Sequence, residues 1–295
     1  RCVIRARNPG AYFLRWRLGF ANWSRNMALG EMARLSAWRA DRVIFVSDQS
    51  RRAISRKLPL RLSKTDVVYH GISPSFAPAA RQGQGAPVAA ITRPYILSVS
   101  LIRRAKNYTR LVEAFVSRAE DDLRGYDLVI LGAMEDEWTR RRITEVLTRS
   151  GLGSRVHLPG AVGRAELPSW YAGASLFVLP SLLETFGHPL VEAMATGLPV
   201  IASNATSNPE IVGEAGLYFD PWSIESIGEA MVTVLSDEER ARRMSEGSRK
   251  RAADFSWEST AIRTLSVLER AAGRGASEDS SKSEPESLGS SREPA

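Results

Sequence analysis

Cysteine is almost absent: Cys2 is the single one in 295 residues. A lone thiol excludes a disulfide framework and any cysteine-built zinc site, and it fits a reducing compartment. Long apolar runs are missing too. None approaches the roughly 20 residues a bilayer-spanning helix needs. No signal peptide is visible, and the chain opens on Arg1 rather than on methionine, so it is expected to start inside a longer protein. There are no internal repeats, and no nucleic-acid-binding motif accompanies the basic residues.

What is present is the mix of an ordinary globular protein, 43% hydrophobic and 25% charged, long enough for one large domain or two of usual size. The net charge of +7 is unevenly spread: residues 1–65 hold 15 Lys and Arg against Glu31, Asp41 and Asp48. That end also carries the aromatic-basic stretch "ARNPGAYFLRWRLGFANWSRNMALGEMARLSAWRA", which reads either as an amphipathic surface for anionic lipid or as a helical region with a basic solvent face. The stretch after 270 is rich in Ser, Glu, Gly and Pro, lacks aromatics, and is expected to be a disordered tail. "APAARQGQGAPVAAITRP" reads as a linker between two periodic regions.

Beyond the linker, short apolar runs alternate with longer helical patterns. The runs "YILSVS", "DLVILG", "RVHLP", "LFVLP", "PVIAS" and "LYFD" suit strands of a parallel sheet buried on both faces. The helices between them include one opened by Asn107 as N-cap, "EDEWTRRRITEVLTRS" and "HPLVEAMAT", and further helices are expected at about 223–236, 238–253 and 257–270. The alternation predicts a doubly wound α/β domain. Before the linker, "VIRA", "DRVIFVS" and "TDVVYH" predict three more strands, with helices near 28–39 and 48–58. These are expected to be the latter half of a second α/β domain.

In such sheets ligands collect beyond the carboxyl ends of the strands. The segment "ETFGHPLVEAMATGLPV" begins at that edge. Pro189 suits a helix start and Gly197 its end. Backbone N–H groups near Phe186, Gly187 and His188 then point into the crevice, and Gly187 allows close approach: an anion site, suited to a diphosphate. Two carboxylates flanking it, Glu184 and Glu192, would repel a phosphate in contact and make better partners for sugar hydroxyls on either side. That pattern fits a nucleotide-sugar. Taken alone, the two glutamates read as a solvated loop acid and a helix-start acid, Lys106 as a surface lysine, His157 as a satisfied core residue, His70 as structural, and His188 as a packing residue whose backbone matters.

"ETFGHPLVEAMATGLPVIAS" resembles the E-x7-E signature of the large retaining glycosyltransferase family of the GT-B fold, often called family 4. "YILSVSLIRRAKNYTRLVEAFV", "RVHLPGAVGRAELPSWYAGASLFVLPS", "NPEIVGEAGLYFDP" and "FSWESTAIRTLSVLERA" resemble the family's C-terminal domain in order and spacing, and "ADRVIFVSDQSRRAI…VVYHGIS" the end of its N-terminal domain. The resemblance covers roughly residues 1–270. It implies two Rossmann-like domains across a cleft: 1–78, incomplete, on the acceptor side; a linker at 79–93; 94–254 binding the donor; a helix at 255–270 crossing back; and a tail at 271–295. It implies that Glu184 holds donor-sugar hydroxyls, that the Phe186, Gly187 and His188 backbone and Lys106 hold the diphosphate, that Glu192 binds the ribose, and that Ala161 and Val162 lie against the base. Glu184 and Lys106 would be the catalytic pair, and no metal or other cofactor is expected.

The chain departs from the family in two places. The family often has an arginine where Leu101 stands, after a glycine where Ser100 stands; Arg103 or Arg104 would have to supply that charge, and Arg104 is expected among the donor-binding residues. The family's glycine-rich loop and early catalytic histidine are expected before residue 1. The implied activity is transfer of a hexose such as mannose or glucose, with retention, to a glycan or lipid-linked glycan in polysaccharide or cell-envelope biosynthesis. The expected place is the cytoplasm, peripheral on the inner membrane face. The rival readings are a nucleotide-sugar-binding fragment without transferase activity and a sugar-nucleotide epimerase of the same fold.

Overall fold

The computed structural model describes residues 3–6, 20–58, 60–77 and 91–273. Of the expected tail at 271–295, Ala271 and Ala272 belong to the last helix; the residues beyond 273, most of the linker and the aromatic-basic residues 7–19 lie outside the described residues, as do the side chains of 4–6 and 20–29.

Two parallel sheets form two lobes. The first holds β1 (Val3–Ala6), β2 (Arg42–Phe45) and β3 (Thr65–Val67) in the order β1-β2-β3, with α1 (Phe20–Arg39) and α2 (Asp48–Ser55). The second sheet holds β4 (Tyr95–Val99), β5 (Asp127–Leu131), β6 (Val156–Gly160), β7 (Leu176–Leu179), β8 (Val200–Ser203) and β9 (Gly216–Phe219), in the order β6-β5-β4-β7-β8-β9. Its helices are α3 (Tyr108–Val116), α4 (Glu137–Ser150), α5 (Leu167–Gly173), α6 (His188–Thr196), α7 (Asn208–Val212), α8 (Ile224–Leu235) and α9 (Glu238–Ala252), followed by α10 (Trp257–Ala272).

Alternate residues of each inner strand feed different cores. Tyr95, Leu97, Val129, Leu131, Phe177, Leu179 and Val200 pack with Trp170, Leu190, Met194 and Ile211 of α5, α6 and α7. Ile96, Leu128, Ile130, Leu176, Val178 and Ile201 pack on the other face with Leu111, Phe115, Ile143 and Met231 of α3, α4 and α8. Each such side chain contributes about 1.5–3 kcal/mol by leaving water, so helices are held on both faces. The outermost strands differ from expectation: β6 and β9 are only partly buried, because each has a neighbour on one side alone.

Ser47, Asp136, Ser223, Asp237 and Ser256 cap their helices with side-chain oxygens, satisfying amides that have no partner within the helix. Asn107 precedes α3 but does not cap it. Its backbone is left-handed at φ 62° and its Nδ2 donates to the Pro221 carbonyl at 2.8 Å. At the opposite edge from the ligand-facing one, buried Asp127 accepts from Arg155 Nε at 2.8 Å and pairs with His157 Nε2 at 2.9 Å. His157 is therefore a structural residue satisfied by an acid.

The lobes meet along α10. The Ile72 N–H donates to the Phe255 carbonyl at 3.1 Å and Thr260 Oγ1 to the Tyr69 carbonyl at 2.8 Å. Val267 packs on Ile44 and Val68 of the first lobe, and Arg270 donates to Asp66 at 2.8 Å. At Gly71 a Cβ would overlap the Trp257 backbone, so only glycine lets α10 start this close to the first lobe.

Candidate functional site

In the second sheet β4 is followed in sequence by β5 and β6 to one side, while β7, β8 and β9 run off to the other. The carboxyl ends of β4 and β7 thus flank the point where strand order reverses, where open α/β sheets bind ligands. A short turn, Arg104–Lys106, follows β4, and the loop after β7 is stitched to it by the Leu182 N–H donating to the Ala105 carbonyl at 2.9 Å. This brings Lys106 and Glu184, 78 residues apart in sequence, into an ion pair in which Nζ donates to Oε1. Both side chains are nearly buried, at 12% and 11% exposed. A pair shielded this far from water interacts more strongly than one at the surface.

The loop then enters α6. Gly187 is left-handed at φ 81°, and a Cβ on it would lie 2.9 Å from Leu190 Cδ1, so glycine meets both a backbone and a packing requirement. Pro189 lies in the first turn and Gly197, at φ 75°, ends the helix. Phe186 is 2% exposed; its ring packs against Tyr69, His70, His188 and Phe255. Its side chain thus wedges between residues of the two lobes. His188 is exposed at the helix start.

Glu192 lies one turn into α6, and its Oε2 accepts from the Tyr171 hydroxyl at 2.8 Å. Burial raises its carboxyl above the ordinary range, against the lowering effects of the Tyr171 bond and the Arg164 charge. Burial likewise raises the Tyr171 phenol, helped by Glu192. Arg164 stands in the loop after β6. In that loop Ala161 is exposed, while Val162 packs partly on the core. The structure therefore gathers Lys106, Glu184, Gly187 and Glu192 along one edge, with Ala161 and Val162 following the carboxyl end of β6.

Arg104 is not brought to the pair. Its guanidinium faces Asp136 at 3.4 Å and lies 4.6 Å from the Trp138 ring. Arg103 and Leu101 are exposed beside it. Lys106 is the cation the fold delivers to Glu184.

Four residues at this edge had no role in the sequence reading. Tyr171 holds Glu192. Ser47, the N-cap of α2, donates its hydroxyl to the Thr185 carbonyl at 2.6 Å. Glu210 accepts from the Asp48 N–H at 2.6 Å, the Gln49 N–H at 2.8 Å and the Tyr69 hydroxyl at 2.8 Å. Thr206 accepts from the Glu184 N–H at 2.9 Å. Glu210 stands in the quoted block "NPEIVGEAGLYFDP", so a lone acid beside Asn-Pro was the available signal. Ser47 and Thr206 carried none, because their partners are backbone groups far away in sequence. His70, read as structural, does pack as a buried residue, but against Phe186 and His188 of the crevice loop.

Among the described residues no group of three or more His, Cys, Asp or Glu is placed to hold a metal ion. The described helices include none long and apolar enough to cross a membrane.

Two α/β lobes with parallel sheets, joined by a returning helix and carrying a Lys–Glu pair at the switch point of the second, define a protein of the GT-B fold. The chain belongs to the family "Glycosyl transferases group 1", whose model matches residues 86–251. It is similar to O-antigen chain mannosyltransferase B of Escherichia coli, 33% identical over 177 residues that make up 59% of this chain and 45% of that protein. It is also similar to the MMP alpha-(1->4)-mannosyltransferase of Mycolicibacterium hassiacum, 28% identical over 246 residues, 78% of this chain and 58% of that one. The chain thus spans about half the length of these curated relatives. Among solved structures, sucrose-phosphate synthase from Thermosynechococcus elongatus superposes with a TM-score of 0.77 at 24% identity, covering 92% of this chain and 68% of that one. HepE of Anabaena in complex with UDP and glucose superposes with a TM-score of 0.73 at 20% identity, covering 90% and 71%.

Proposed function

We propose that the protein of which this chain is part is a retaining glycosyltransferase that moves a hexose, mannose or glucose, from a nucleotide-diphospho-sugar to a glycan or lipid-linked glycan in polysaccharide or envelope biosynthesis. The observation that carries this reading is the Lys106–Glu184 pair at the switch point, directly before the glycine-opened helix that bears Glu192. Two of the curated relatives are mannosyltransferases by name, which supports mannose as the first sugar to test.

The chemistry follows from the residues. Without donor, Lys106 and Glu184 neutralise each other. With donor, Lys106 and the amides around Gly187 face the diphosphate, and Glu184 is released to accept from sugar hydroxyls. Charge that builds on the departing diphosphate is met by groups already in place, which is electrostatic catalysis, and no metal enters the scheme. Glu192, fixed by Tyr171, accepts from the ribose hydroxyls, and Ala161 and Val162 border the base. Arg104 would reach the donor only by leaving Asp136. Residues 1–78 form the acceptor-side lobe, 94–254 the donor lobe and 255–270 the returning helix.

The surface of α1 supports a second contact. Met32, Leu35 and Trp38 are exposed at spacings of three, beside Arg39 and an Arg34–Glu31 ion pair, which suits an apolar face resting on a membrane surface. Such a contact would hold the enzyme at the cytoplasmic side, where lipid-linked acceptors would meet it.

The decisive experiment uses the intact protein with GDP-mannose and UDP-glucose as donors. Glu184→Ala is expected to abolish transfer while the nucleotide diphosphate still binds; unchanged turnover removes Glu184 from the sugar site. Sedimentation with vesicles of phosphatidylglycerol against phosphatidylcholine tests the surface, and equal binding to both rules it out.

A further inference from the structure

Thr206 lies in the loop between β8 and α7 with a left-handed backbone, φ 53°. A β-branched residue is an outlier there, because its Cβ substituents crowd the backbone. Asn107 is also left-handed, but asparagine tolerates that conformation. Strain of this kind persists only where the surroundings impose it, and it concentrates at functional sites.

The surroundings are the loop that carries Glu184. The loop after β7 is joined to the end of β8 and the loop that follows it at two points. Ser203 Oγ donates to the Ser181 carbonyl at 2.6 Å and is itself held by Asn208 Nδ2 at 2.9 Å. The second point, three residues closer to the site, is the Glu184 N–H donating to Thr206 Oγ1 at 2.9 Å. Glycine would adopt the same backbone without strain, but it has no side-chain acceptor. The strained residue therefore supplies the one thing the unstrained one lacks, and supplies it to the backbone of Glu184.

We propose that Thr206 is a positioning residue for the donor sugar: its hydroxyl anchors the Glu184 backbone, so that the carboxylate stays aimed at the sugar when it separates from Lys106. This rests on the reading of Glu184 as the sugar contact. Thr206 itself touches no substrate. Its effect should appear in the affinity for the sugar, with the diphosphate held as before through Lys106 and the Gly187 turn.

The test is calorimetric titration of the intact protein with GDP-mannose, UDP-glucose and ADP-glucose, each against its own nucleoside diphosphate. For the sugar nucleotide that binds more tightly than its diphosphate, Thr206→Val is expected to lose roughly tenfold in affinity, the scale of one hydrogen bond, with diphosphate affinity unchanged. Thr206→Ser should restore the wild-type ratio. Thr206→Gly should match valine in binding yet raise the melting temperature, because it relieves the strain. In a Glu184→Ala background Thr206→Val should add nothing. The proposal is overturned if Thr206→Val keeps the full sugar preference, or weakens sugar nucleotide and diphosphate alike, while Glu184→Ala removes the preference. If Glu184→Ala itself leaves the preference intact, or if no sugar nucleotide outbinds its diphosphate, the Glu184 reading is what fails.

Discussion

Replacing Glu210 by alanine removes a carboxylate that belongs to the donor lobe but serves the other one. It accepts from two amides at the start of α2, at 2.6 and 2.8 Å, and from the Tyr69 hydroxyl at 2.8 Å. Hydrogen bonds to a charged acceptor contribute about 1.5–3 kcal/mol each when shielded, and a negative charge at a helix N-terminus adds about 0.3–1 kcal/mol. Asp48 and Gln49 are half-buried and exposed, so water replaces much of what their amides lose. Tyr69 is half-buried, and its phenol is pushed up to about 12 by burial and then by the Glu210 bond and charge. A loss of about 2–4 kcal/mol in lobe docking is therefore expected. For a domain of this size each kcal/mol moves the melting temperature by about 2–4 °C, so the main calorimetric transition should fall by at least about 4 °C. It should also broaden or split as the lobes uncouple, and small-angle scattering should show a larger radius of gyration. Glu214→Ala, an exposed acid two residues after α7, is the control. Equal shifts from the two variants, or a change under about 1 °C for Glu210→Ala, would refute the carboxylate as the link between lobes.

Other consequences are as direct. Asp127→Asn leaves Arg155 buried without its acid and should cost about 3–5 kcal/mol, read as a lower urea midpoint at pH 7. Burial alone would raise Asp127, but His157 and Arg155 hold it below the usual carboxylate range. Its contribution is thus present above the unfolded pKa and lost as pH falls through the folded one, so the gap between wild type and Asp127→Asn should close below about pH 4. Glu192 has the opposite sign. Its folded pKa is raised, mainly by burial, so its ionisation costs stability as pH rises through that value, and Glu192→Gln should melt higher than wild type at pH 7 and equal to it in acid. The same variant should bind nucleoside diphosphate less tightly by calorimetry; unchanged affinity would contradict the ribose role. Gly71→Ala forces α10 away from the first lobe, and limited proteolysis should then cut faster between the lobes than in Gly125→Ala, whose Cβ meets open space.

Much of this molecule is legible in its sequence. Strands such as "LFVLP" and "PVIAS" were readable because both faces of an inner parallel strand are buried, which leaves an unbroken apolar run with glycine and proline at its ends. The α6 boundaries followed from Pro189 and Gly197, since their backbone restrictions act locally. Glu184, Gly187 and Glu192 could be placed at one edge because all three lie within nine residues on a single strand–helix turn. Local rules reach less far at Asn107, where a good capping residue has a left-handed backbone and gives its side-chain oxygen to Arg110 Nη1 at 3.0 Å instead of to a helix amide. They also fail at β6 and β9, because being outermost is a property of strand order and of no single strand.

The sequence by itself determined the alternation of strands and helices, the turn that opens α6, and the two carboxylates on it, because each depends on residues within a few positions of one another. Only the tertiary structure decided which cation meets Glu184, what holds Glu192 in place, and how the lobes are fastened. Lys106 reaches Glu184 across 78 residues, Tyr171 reaches Glu192 across 21, and Glu210 reaches α2 across 162. These contacts exist because sheet order brings together the carboxyl ends of β4 and β7, and because α10 lays one lobe against the other. A hydrogen bond acts over about 3 Å, so the distance that matters to it is the distance in space.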